Sequence, residues 1–81
     1  MRLPRDVSGA DLAKSLKQYG YQVSRQTGSH MRLTTLLNGE HHITIPNHKD
    51  LRVGLLKAIL DDVADHLRLS SDEVIEQLFG K

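Results

Sequence analysis

His30-Met31-Arg32-Leu33-Thr34-Thr35-Leu36-Leu37-Asn38-Gly39-Glu40-His41-His42-Ile43-Thr44-Ile45-Pro46 is the stretch whose reading decides the fold, because two alternating runs flank a strong turn. In the first run Met31 and Leu33 face one way while His30, Arg32 and Thr34 face the other, the period-2 pattern of a strand. In the second, Ile43 and Ile45 are in phase and Pro46 ends the run. Asn38-Gly39 is a hairpin signal. A two-residue loop there would pair Arg32 with Ile45 and mix isoleucines with His30. A three-residue loop of Leu37-Asn38-Gly39, with Gly39 as a left-handed bulge, pairs Leu33 with Ile43 and Met31 with Ile45. A one-residue slip inverts every side chain, so hydrophobic matching selects the bulged hairpin. One face is then aliphatic, and the other carries His30, Arg32, Thr34, His42 and Thr44.

Upstream, Tyr21 to Gln26 reads as a further strand, with Tyr21 and Val23 on one side and Gln22 and Ser24 on the other, closed by a turn at Thr27-Gly28. Before it lies a helix. Ser8 is a good N-cap, Asp11 completes a variant capping box, and Gly20 offers a left-handed stop. Leu12, Ala13, Leu16 and Tyr19 form its apolar face. Downstream, a helix from Asp50 or Val53 to about His66 buries Leu55, Leu56, Ile59, Leu60 and Val63. Ser70 and Glu73 form another capping box and open a last helix with Val74, Ile75, Leu78 and Phe79 apolar, ended by Gly80. The order α-β-β-β-α-α gives an α+β sandwich, a three-stranded antiparallel sheet with helices on one face. That is the layout of a double-stranded-RNA-binding-type fold.

The 81 residues are read as one domain, 1–81. A chain this short buries only about 60% of its unfolded surface, so its core is thin. Apolar residues at 38% and charged residues at 26% fit a globular protein and argue against disorder. There are no cysteines, which excludes a disulfide framework, a thiolate zinc site and a cysteine nucleophile. No apolar run approaches the ~20 residues of a membrane span and no signal peptide opens the chain, so the expectation is a cytoplasmic protein with no membrane partner. Net charge is +1, unevenly placed. Residues 1–57 carry nine basic and four acidic side chains, +5; residues 58–81 carry two and six, −4. A polyanion is drawn to the first part and repelled by the second.

Gly28-Ser29-His30 is the sharpest chemical feature: a tight turn delivering an imidazole to the first position of a strand. Imidazole exchanges a proton near neutrality, and RNA hydrolysis through its own 2′-hydroxyl needs no metal in principle. Gly-Ser-His by itself is a weak signal, since a histidine on a sheet surface is a bystander more often than a catalyst. Ile45-Pro46-Asn47-His48-Lys49 is the second feature. With Pro46 opposite His30, His48 and Lys49 leave the sheet at the same edge, where they suit a phosphate; the plainer reading is a solvated loop. His42 lies about 13 Å from His30 at ~3.3 Å per residue, too far for a direct pair. His41 and His42 point to opposite faces, so no metal site and no cofactor are expected.

These segments resemble the HicA toxin family. Ser8-Gly9 leading into Leu12 and Leu16, then Tyr19-Gly20-Tyr21, is similar to its opening helix. Gln26-Thr27-Gly28-Ser29-His30 resembles its Gly-Ser-His signature, Ile45-Pro46-Asn47-His48-Lys49 its Pro-x-His-Lys segment, and Gly54 to Leu60 its following helix. The resemblance covers about residues 8–60. It implies a bacterial toxin that cleaves mRNA, with His30 catalytic, and a HicB-like antitoxin partner. Ser29, Arg32, His48 and Lys49 are the accompanying RNA-binding candidates. The chain departs from the family pattern at Asp61 to Leu69, which is longer and more acidic. Two other functions share the fold: an RNA-binding module that does not cut, and a protein-interaction domain using the open face, including Leu36.

Overall fold

A computed structural model describes residues 3–80; Arg2 and Lys81, counted in the charge balance above, lie outside them. The elements are α1 (Gly9–Ser15), a 3-10 turn (Leu16–Tyr19), β1 (Gln22–Thr27), β2 (His30–Thr35), β3 (His41–Pro46), α2 (Val53–Leu67) and α3 (Ser71–Phe79). The sheet is antiparallel in the order β1-β2-β3, so the α+β architecture with a three-stranded sheet is as expected. β2 and β3 adopt the bulged register: Met31 faces Ile45, Leu33 faces Ile43 and His30 faces Pro46. Asn38 (φ 58°) and Gly39 (φ 100°) supply the left-handed turn.

The core joins the aliphatic face of β2 and β3 to Leu12 and Leu16 of the first helical segment, to Leu56, Ile59, Leu60 and Val63 of α2, and to Val74 and Ile75 of α3. Burying a side chain of this size contributes about 1.5–3 kcal/mol. Among the described residues no element covers the sheet's other face. Thr35 is the one buried polar residue among those described; its hydroxyl donates to the Tyr19 carbonyl at 2.7 Å, so the burial leaves no unmet donor. Burial also pushes the Tyr21 phenol up to about 12, with the Asp62 carboxylate adding to the shift.

Four local readings are corrected. Ser8 caps α1 by accepting from the Asp11 amide at 2.9 Å, but no bond returns from Asp11 to the Ser8 amide among the described residues, because aspartate is one methylene short of the glutamate that closes the box around Ser70. The β1–β2 turn is Gly28-Ser29, with Thr27 and His30 paired; Gly28 at φ 56° takes the left-handed position. Val23 is 46% exposed, since no helix reaches over the β1 edge. Leu55, at 39%, lies on the rim of the α2 stripe rather than within it.

Two contacts position the loop after β3. The Gly9 amide donates to the His48 carbonyl at 2.9 Å and the Leu51 amide to the Val7 carbonyl at 2.8 Å. The chain around Gly9 is so close that an added Cβ would lie 2.0 Å from the Pro46 carbonyl oxygen. At the other end of the hairpin, the His66 Nε2–H is shared between the carbonyls of Leu37 (2.8 Å) and Gly39 (3.1 Å), and the Asn38 amide group donates to the His66 carbonyl at 2.8 Å. The His66 ring stacks on His41 at 4.3 Å. Helix α2 is thereby clipped to the turn.

Two glycines near helix starts should therefore respond to alanine with opposite signs. Gly9→Ala should lower stability by about 2 kcal/mol, the scale of overpacking against fixed backbone. Gly54→Ala, whose Cβ meets nothing within 4 Å, should gain about 0.5 kcal/mol; urea melts of both check this. Asp61 joins α2 to α3. Its carboxylate accepts from Lys57 at 2.8 Å and from the Ser71 hydroxyl at 2.5 Å, and these two bonds, Lys57 first, hold its pKa below the ordinary 3.8. A depressed carboxyl stabilises the fold fully above its unfolded value, and the contribution drains as pH falls through the folded one. Asp61→Asn should accordingly unfold at lower urea than the parent near neutral pH, with the gap closing in strong acid.

Candidate functional site

The open face of the sheet is built in rows by the register. The first row holds Thr27, His30 and Pro46; the second Arg25, Arg32 and Thr44; the third Gln22, Thr34 and His42. Met31, Leu33 and Thr35 are buried while His30 and Arg32 are exposed, so β2 divides between core and water as its alternation predicts. His30 is the first residue of β2, directly after the two-residue turn, and strand pairing on both sides holds its backbone. Pro46 fits opposite it because β3 is an edge strand on which that position needs no N–H for the ladder. One step further the Asn47 amide donates to the Ser29 carbonyl at 2.5 Å. The segment leading to His48 and Lys49 is thus tied to the His30 turn on one side and to Gly9 on the other.

The five histidines differ in what their rings do. His41 Nδ1 lies 2.7 Å from the Tyr21 hydroxyl and its Nε2 3.2 Å from Asp62. His42 Nδ1 lies 2.7 Å from the Thr34 hydroxyl and its Nε2 2.7 Å from Glu40. The Glu40 carboxylate only accepts, so Nε2 carries the proton there. His66 clips the hairpin turn. Among the described residues, only His30 and His48 keep rings without a hydrogen-bond partner, and both lie at the same end of the sheet. Ring nitrogens already in use are poor candidates for meeting a substrate. Free ones on a fixed backbone are good ones.

All five candidates from the sequence, Ser29, His30, Arg32, His48 and Lys49, are exposed. Ser29 sits in the turn, Arg32 one row in from His30, and His48 and Lys49 in the adjoining loop. His42 is separated from His30 by the intervening row, and its ring is tied up with Thr34 and Glu40. His41 and His42 face opposite sides, as their alternation requires. Arg25 is the residue the sequence reading passed over. Simple alternation from Tyr21 and Val23 sends it toward the helices, yet a register shift between Val23 and Arg25 turns it to the open face. At the far end of the sheet Val23, Leu36 and Leu37 leave apolar side chains in water, Leu36 most of all at 76%.

No helix among the described residues is long and apolar enough to cross a membrane. A family model described as the HicA toxin of bacterial toxin-antitoxin matches residues 9–64, more than half of the chain. That span begins at Gly9 and takes in the open face, the His48 loop and most of α2, while α3 lies beyond it. No curated protein and no solved structure gave a match.

Proposed function

Because the chain belongs to the HicA toxin family, we propose that it is the RNA-cleaving member of a toxin–antitoxin pair and that His30 is its catalytic residue. Family membership implies an antitoxin partner. A HicB-like protein as that partner and mRNA as the substrate belong to the proposal. The observation that carries it is His30 itself: a partnerless imidazole at the rigid start of β2, on an uncovered polar face, beside Arg32 and the His48-Lys49 loop.

The chemistry follows from those groups. His30, neutral, accepts the proton of a ribose 2′-hydroxyl as the 2′-oxygen attacks the neighbouring phosphorus. The phosphorus–5′-oxygen bond then breaks, leaving a 2′,3′-cyclic phosphate, and the departing 5′-oxygen takes up a proton. As the other imidazole without a hydrogen-bond partner among the described residues, His48 is the group assigned to supply it. Arg32 and Lys49 offset the charge that builds on the non-bridging oxygens, and Ser29 can donate to a phosphate from the turn. A HicB-like antitoxin that covers this face would silence the enzyme, and the exposed Leu36 offers such a partner apolar area.

Purified protein should cut RNA, and His30→Ala should do so about 10²–10⁴-fold more slowly, the range for loss of one acid–base group. His42→Ala should retain most of the activity. Equal rates for parent and His30→Ala would remove His30 from the mechanism. RNA recovered bound but intact after long incubation would favour the non-cutting module instead.

A further inference from the structure

We infer that Arg25 and Arg32 form a two-arginine clasp for an RNA phosphate next to the one His30 acts on, and that the bulge at Ser24 exists to aim Arg25 into it; this rests on the ribonuclease reading above. Val23 pairs with Leu33, yet Arg25 pairs with Arg32, so Ser24 is the extra residue of β1. Bulges of this kind re-aim a side chain. Without it, Arg25 would share the helix-facing side with Val23.

The bulge is held from the open face. The Ser24 hydroxyl lies 3.2 Å from the Arg32 carbonyl, to which it donates, and 2.8 Å from the Thr34 hydroxyl. Thr34 reaches His42, and His42 reaches Glu40. The chain of contacts runs across all three strands and consumes the nearby carboxylate. Neither arginine has an acidic partner among the described residues. Two guanidinium groups directly opposite each other repel, a pairing that costs a sheet stability. An anion between them reverses the sign, and guanidinium forks match phosphate oxygens in pairs.

Position and surroundings identify the anion. The arginine row lies two residues along β2 from His30, about 6.6 Å at ~3.3 Å per residue, which places the clasp beside the cutting residue. Its neighbours on this face are the hydroxyls of Ser24, Thr27, Thr34 and Thr44 together with His30, Pro46 and His42, and aliphatic side chains enter only at the β3 edge, where Ile43, Ala58 and Ile59 line a hollow with Arg32 and Asp62. A protein partner wants an apolar centre, and the exposed leucines lie at the other end of the sheet. Base stacking wants an aromatic plane. A surface of cations and hydroxyls grips the backbone and ignores sequence.

The test uses His30→Ala protein, so that the probe stays whole, and two single-stranded RNA oligonucleotides of different sequence, with affinity read by fluorescence anisotropy across a salt series. Adding Arg25→Ala should weaken both equally, about tenfold, and make the slope of log affinity against log salt shallower by about 0.7, one phosphate contact on a single strand. Arg25→Lys should restore the slope. Relief of the repulsion means that Arg25→Ala should melt no lower than its parent. Unchanged affinity and slope would overturn the clasp, as would a lowered melting temperature, or RNA affinity retained while antitoxin binding is lost. If the parent itself binds neither RNA at low salt, the ribonuclease reading falls and the clasp with it. That pattern differs from one in which only Arg25 proves indifferent.

Discussion

The pairing of Met31 with Ile45 and of Leu33 with Ile43 fixes the direction of every other side chain on β2 and β3. Four aliphatic groups cannot face water without losing several kcal/mol of burial, so the hairpin has one register, and in it His30, Arg32, Thr34, His42 and Thr44 must point away from the helices. The open face is a by-product of packing the other one. Nothing beyond that packing is needed to explain why His30 is exposed.

A second constraint acts on the backbone. Gly9 lies against Pro46, and the loop that follows is fastened to α1 at His48 and to the β1–β2 turn at Ser29. Three segments distant in sequence, at residues 9, 29 and 48, therefore meet through main-chain atoms. Main-chain contacts of this kind hold geometry without depending on the side chains they present. His30, His48 and Lys49 keep their side chains in solvent because none of them is needed to hold these segments together.

Much of this was legible in the residues. The alternation around Asn38-Gly39 gave the register, and with it the faces of His30, Arg32, His41 and His42. What stayed hidden depends on distance rather than order. Val23 looks like core because valine in phase with a buried tyrosine usually is, yet a thin domain has too few helices to cover its edge strand. Arg25 is invisible to a period-2 reading because one extra residue at Ser24 resets the phase. The clip between His66 and the hairpin turn joins residues 27 and 29 apart, and no local pattern announces it. The resemblance to a toxin family puts the emphasis on His30; the match over residues 9–64 bears out the family, and the ring's lack of a hydrogen-bond partner is what the structure adds.

The helical layer carries a consequence of its own. Six acidic side chains, Asp61, Asp62, Asp65, Asp72, Glu73 and Glu76, belong to α2 and α3, against Lys57 as the one lysine or arginine within those two helices, whereas the three strands carry Arg25 and Arg32 and no acid. A net charge of +1 conceals an uneven division between the cationic strands and the acidic pair of C-terminal helices. In the field of a nucleic acid such a body experiences a torque, and it turns its cationic side forward before any atom touches. A protein with almost no monopole can in this way still be oriented by a polyanion.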